Sequence, residues 1–91
     1  MNKLKPRILC VDDENLNLQL YKGILENAGY TVIPATGGQQ ALDALAPEPA
    51  DIVILDLMMP EMDGFTVLKT LRSNPATENL PVIVATALSD R

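Results

Sequence analysis

The sequence predicts an α/β domain built on a parallel sheet. Four short apolar runs punctuate the chain: "RILCV" (7–11), "YTVI" (30–33), "DIVIL" (51–55) and "PVIVAT" (81–86). Three of them are dense in Val and Ile and show no polar alternation, the pattern of strands covered on both faces. The segments between them carry helical periodicity, so the order reads β-α-β-α-β-α-β. That alternation calls for right-handed crossovers, with helices laid on the sheet.

The first strand ends at Val11, where Asp12 and Asp13 follow. A helix is expected from Glu14 to Ala28, with Asp13 as its N-cap. Leu16, Leu20, Ile24 and Ala28 recur every four residues, and Tyr21 and Leu25 widen that stripe. Gly29 follows the last periodic residue, where a C-cap glycine belongs. After the second strand, a helix reads from Gly38 to Ala46 with Ala41, Leu42 and Leu45 facing in. "PEP" stops it. The third strand ends in Asp56, and Pro60 shows that the strand is over, because proline cannot donate to a ladder. Asp63-Gly64 is a turn pair before a helix that runs from Gly64 or Phe65 to Arg72. Phe65, Leu68 and Leu71 share one of its faces. "SNPATENLP" is a polar loop into the fourth strand, and no repeat, low-complexity tract or linker interrupts the order.

A chain of 91 residues suits one domain, here 1–91. Its 47% hydrophobic content supplies a core and argues against disorder. With only 3% aromatic residues, that core must be aliphatic. A domain this small buries about 60–65% of its unfolded surface, so its stability margin is thin.

The net charge of -5 speaks against direct nucleic-acid binding, which needs cations to neutralise phosphates. Lys3, Lys5 and Arg7 are the only basic cluster. No apolar stretch approaches the roughly 20 residues of a membrane span. The N-terminal apolar run is too short for a signal peptide. One cysteine gives no intrachain disulfide, which fits a reducing, cytoplasmic setting. Cys10 itself reads as a small buried hydrophobe rather than a reactive thiol.

Carboxylates close the strands. In an open parallel sheet, ligands bind beyond the carboxyl ends of the strands, where strand order reverses. Asp12 and Asp13 follow the first strand, Asp56 ends the third and Thr86 ends the fourth. Each has an ordinary reading alone: a solvated helix start for "DDE", an Asx turn for Asp56, a β-branched strand residue for Thr86. Their joint placement at one rim points to a site. Three carboxylates repel one another, and a hard divalent cation relieves the repulsion. Mg²⁺ takes oxygen ligands and pairs naturally with one or two carboxylates plus a phosphate. Met58, Met59 and Met62 read as adaptable apolar fillers.

The set "VDDE", "ILDLMMPEMDG" and "VATA" closely resembles the receiver domain of two-component response regulators. "LPVIVATA" is similar to that family's fourth strand, and "ATGGQQAL" to the start of its second helix. The resemblance spans almost the whole chain, in order and spacing. It implies a flavodoxin-like, doubly wound fold with strand order 2-1-3-4-5, of which 2-1-3-4 is present. It implies Asp56 as phosphoacceptor and Thr86 as the hydroxyl that turns towards the phosphoryl group. Asp12, Asp13, Asp56 and the backbone carbonyl of Met58 would hold Mg²⁺ or Mn²⁺. The implied partner is a sensor histidine kinase or phosphotransfer protein, with an output domain or self-association downstream. The family docks its kinase on the first helix, corresponding to Asn15, Asn17, Leu18 and Lys22. Met58 and Leu88, two residues past Asp56 and Thr86, correspond to positions flanking the path of the water that hydrolyses the phosphate.

The family's lysine on a fifth strand, that strand and the last two helices have no counterpart up to Arg91. The natural protein is therefore expected to continue, or the 91-residue form to pair with something. Two other classes share part of this pattern. A haloacid-dehalogenase-type phosphatase resembles D-x-D, but Met58 stands where its second carboxylate belongs. A calcium loop is weaker, since "DDENLNL" lacks alternating ligands and the central glycine. The main rival is a receiver-like interaction module that no longer signals by phosphate. On the favoured reading the domain is a phosphoacceptor, not an enzyme beyond its own phosphorylation and dephosphorylation.

Overall fold

The computed structural model describes residues 5–59 and 63–85. Within them the order is β1 (Arg7–Val11), α1 (Asn15–Asn27), β2 (Thr31–Ala35), α2 (Gly38–Leu45), β3 (Ile52–Leu55), α3 (Gly64–Ser73) and β4 (Val82–Val84). The strands form one parallel sheet in the order β2-β1-β3-β4. The alternation of elements led to the expectation of a parallel sheet, and its strand order is the flavodoxin-like one that the family resemblance implies.

Strand side chains alternate between the two faces, and the sheet has a different cover on each. Leu9, Val11, Val53 and Leu55 pack against Ala41 of α2 and Val67 and Leu71 of α3. Ile8, Cys10 and Val32 pack against Leu18 of α1, with Tyr21, Leu25, Ile52 and Ile54 around them. The core is aliphatic on both sides. The first crossover thus lies on one face and the next two on the other. Strand order reverses between β1 and β3, because β1 has β2 on one side and β3 on the other.

The helix ends show how local chemistry sets the chain path. Gly29 closes α1 with φ of 102°, a left-handed conformation that glycine adopts at least cost. Asp63 caps α3, its carboxylate accepting from the Thr66 N–H at 2.9 Å. At α1 the N-cap is Glu14 rather than Asp13, and no side chain caps it directly. Asp12 takes over instead, accepting the Glu14 N–H at 2.9 Å.

Two helix faces differ from expectation. Leu16, Leu20 and Ile24 are 65%, 56% and 66% exposed, and Ala28 is exposed too. The face that meets the sheet is Leu18, Tyr21 and Leu25, spaced three and four apart. Both sets are apolar, so α1 has a broad apolar sector of which only half touches β1 and β2. Leu18, expected on the kinase-facing surface, is therefore buried beneath the helix. On α3, Phe65 is exposed, while Val67 and Leu71 are buried and Leu68 is half-buried. Ala41, Leu42 and Leu45 of α2 pack inward as expected. Pro60, Met62, Thr86 and Leu88 lie outside the described residues.

Candidate functional site: an acidic rim at the switch point

Register builds the site. Val11 pairs with Ala35 on one side and Leu55 on the other. The next residues, Asp12 and Asp56, therefore leave adjacent strands together. Their backbones extend the ladder by one rung: Asp56 N–H donates to Val11 O and Asp12 N–H to Ala35 O, each at 3.0 Å. Asp13 follows on the turn into α1. The point where strand order reverses thus receives three carboxylates, as expected from their places in the sequence.

Oxygens of Asp12, Asp13 and Asp56 all lie within 4.8 Å of one another. Asp12 is 3% and Asp56 6% exposed, whereas Asp13 reaches solvent. Asp56 Oδ1 accepts from the Met58 N–H at 2.9 Å, an Asx turn that folds the chain just past the strand. Asp12 accepts from the Glu14 N–H on Oδ1 and from Asn17 Nδ2 on Oδ2, at 2.9 and 3.1 Å. Among the described residues, no Lys or Arg pairs with any of the three. Two buried carboxylates without a cationic partner are costly. The donor set is oxygen only, which suits a hard divalent cation. The residues present therefore fit a metal site.

An open cleft beside the cluster is lined by Asp13, Leu57, Met58, Met59, Asp63 and Phe65. Met59 is buried in the core, whereas the Met58 side chain is exposed at the cleft. Below the rim lies Tyr21. Burial pushes its hydroxyl pKa up, and the charges of Asp12, Cys10 and Asp56 add to the effect. Cys10 is buried, and burial raises its thiol pKa to about 11. Such a thiol is inert at neutral pH, as its place in an apolar run suggested.

Asn17 is the functional candidate that sequence reading assigned to another role. The family resemblance puts it on the kinase-docking surface, yet its amide reaches the Asp12 carboxylate. Its position five residues after Asp12, in the first turn of the helix, was the available signal.

A model of the response regulator receiver domain family matches residues 8–91. The chain belongs to the response regulator receiver family. Among curated relatives, response regulator PleD of Caulobacter vibrioides is 43% identical over 88 residues. Sensor protein GacS of Pseudomonas syringae is 40% identical over 85. These matches cover 97% and 90% of the chain but only 19% and 9% of those proteins, in which the matching region is a small part. Among solved structures, the N-terminal domain of a response regulator receiver protein from Methanoculleus marisnigri superposes with a TM-score of 0.83. It is 40% identical, and the alignment covers 86% of this chain and 63% of that one. The receiver fold thus recurs here with its acidic rim assembled at the end of β1 and β3.

Proposed function

We propose that Asp56 accepts a phosphoryl group in a two-component relay. The observation that carries this reading is the cluster itself: a nearly buried carboxylate within 4.8 Å of two others at the switch point, beside a cleft that Asp13 and Met58 line. Asp12, Asp13, Asp56 and the backbone carbonyl of Met58 would hold Mg²⁺. Bound there, the ion supplies positive charge against the oxygens of the transferring phosphoryl group.

The chain's own residues do the rest. An oxygen of Asp56 attacks phosphorus in line, forming an acyl phosphate. The phosphorus–nitrogen bond of a phosphohistidine donor breaks, and the ring nitrogen keeps the electron pair. The Met58 N–H holds Asp56 Oδ1, leaving Oδ2 as the attacking atom. Asp12 and Asp13 would share the holding of the ion with Asp56. The product adds up to about two negative charges and strong acceptors at the rim. Thr86 would turn its hydroxyl towards them, and the rearrangement is the signal.

On this reading the domain is a phosphoacceptor acting on itself, and its donor is a sensor histidine kinase or phosphotransfer protein. Relatives support the kinase pairing, since they include sensor kinases as well as response regulators. A cytoplasmic location follows from such a donor. Among the described residues no helix is long and apolar enough to cross a membrane. The test is to incubate the protein with Mg²⁺ and acetyl phosphate and record its mass. Gain of one phosphoryl group, absent in Asp56→Asn and absent with chelator, is the expected result. No gain in wild type, or equal gain in Asp56→Asn, overturns the reading.

A further inference from the structure

Asp12 is held by both carboxylate oxygens, and both donors come from the start of α1. The Glu14 N–H reaches Oδ1 at 2.9 Å and Asn17 Nδ2 reaches Oδ2 at 3.1 Å. The first is a backbone turn contact that any residue at position 14 except proline would make. The second depends on a side chain. The amide must present its nitrogen, because an ionised carboxylate only accepts. We infer that Asn17 is a positioning residue for the metal site, fixing the rotation of the Asp12 carboxylate.

The geometry supports this beyond a helix-start role. Two donors define the plane of the Asp12 carboxylate and leave lone pairs on both oxygens free. One of those oxygens stands within 4.8 Å of ligand atoms on Asp13 and Asp56. Without Asn17 the carboxylate could turn about its last bond, and the repulsion of its two neighbours would favour turning away. Holding it in place before the ion arrives removes a cost that would otherwise fall on binding. The chemistry of the donor matters as well. An amide is neutral, so it orients Asp12 without cancelling the charge that attracts the cation. A lysine at the same position would compete with the ion for the same oxygen.

The inference rests on the reading that the acidic cluster takes Mg²⁺, and one experiment separates the two. Mg²⁺ affinity is measured by calorimetry on wild type, Asn17→Ala, Asn17→Leu and Asn17→Gln, with Mn²⁺ competition followed by electron paramagnetic resonance. Thermal melting without metal is recorded in parallel. Asn17→Ala and Asn17→Leu are expected to bind Mg²⁺ about tenfold more weakly, the scale on which groups that orient metal ligands act. Their metal-free melting temperatures should fall only slightly, since the better helix propensity of both replacements offsets part of the lost hydrogen bond to Asp12. Asn17→Gln, which keeps an amide donor on a longer arm, should recover part of the affinity. Wild-type affinity in both Asn17→Ala and Asn17→Leu overturns the role of Asn17 alone. A weaker affinity matched by a collapse of metal-free stability also overturns it, in favour of a purely structural contact. Absence of Mg²⁺ binding to wild type overturns the metal reading and this inference together.

Discussion

A Cβ on Gly64 would lie 2.5 Å from the carbonyl oxygen of Asp56, and equally close to the Cα of Leu57. The first residue of α3 is thus pressed against the backbone of the turn that follows β3. Its N–H also donates to Leu57 O at 3.2 Å. Glycine is needed here for close approach of two backbones, since no left-handed φ is involved. Gly64→Ala must separate α3 from the turn that presents Asp56 and Met58. The expected cost is about 1–3 kcal/mol, as for other overpacked sites, read by urea denaturation. Mg²⁺ binding should weaken as well, because the Met58 carbonyl belongs to the displaced turn. Gly23, inside α1 with no heavy atom within 4 Å of an added Cβ, gives the contrast. Gly23→Ala should stabilise by about 0.5–1 kcal/mol through helix propensity. Equal effects at the two positions would refute the close-contact account.

The Met58 side chain sits exposed beside the cleft next to Asp56. It has no polar atom able to orient a water for attack on an acyl phosphate. The phosphoryl group should therefore not be especially short-lived. Met58→Asn supplies an amide at the same place and should speed its loss. The measurement is decay of labelled phosphoprotein after donor removal. Equal decay in the two proteins would count against this role for Met58.

The order of elements and the site could be read from sequence for one shared reason. A strand buried on both faces must be a continuous apolar run, so the charge that ends it marks its carboxyl end. Asp12 and Asp56 were legible in this way, and parallel register then brought them together. The contact face of α1 was not legible. Leu16, Leu20 and Ile24 form as regular a stripe as Leu18, Tyr21 and Leu25, and periodicity does not say which of two apolar flanks meets the sheet. Phe65 failed similarly: a large apolar residue in the first turn of α3 was assigned inward, while the smaller Val67 fills the space over Val53 and Leu55. Asn17 was missed because its role depends on a side-chain hydrogen bond between the strand end and the helix start.

The exposed flank of α1 has a consequence in solution. Asn15, Leu18, Gln19 and Lys22 line a cleft with Pro34 and Thr36 on the β2 side. Leu20 and Ile24 are exposed and take no part in the face that meets the sheet. Ile83 and Val84 of β4 are also about half exposed, on a strand with a free edge among the described residues. Exposed apolar side chains and a free strand edge each favour association. The 91-residue polypeptide should therefore bind an apolar dye and show concentration-dependent sedimentation. Leu20→Glu with Ile24→Lys should reduce both without loss of the sheet's circular dichroism. A monodisperse, cooperatively melting monomer that ignores the dye would refute this.

Stability should fall at alkaline pH, and Cys10 supplies a defined part of the fall. Burial raises the thiol from 9.0 to about 11 in the folded protein, so ionisation is easier in the unfolded chain. The contribution is fully present below pH 9 and is lost as pH rises to about 11. At 1.36 kcal/mol per pKa unit, it amounts to roughly 2–3 kcal/mol. Tyr21 shifts in the same direction and extends the loss above its ordinary value of 10.0. Cys10→Ala removes the first part only. It should lower stability at neutral pH through the cavity it leaves, while flattening the pH dependence between 9 and 11. Urea denaturation of both proteins at half-unit steps across that window measures the difference in slope. Parallel curves would show that the thiol contributes nothing to the alkaline loss.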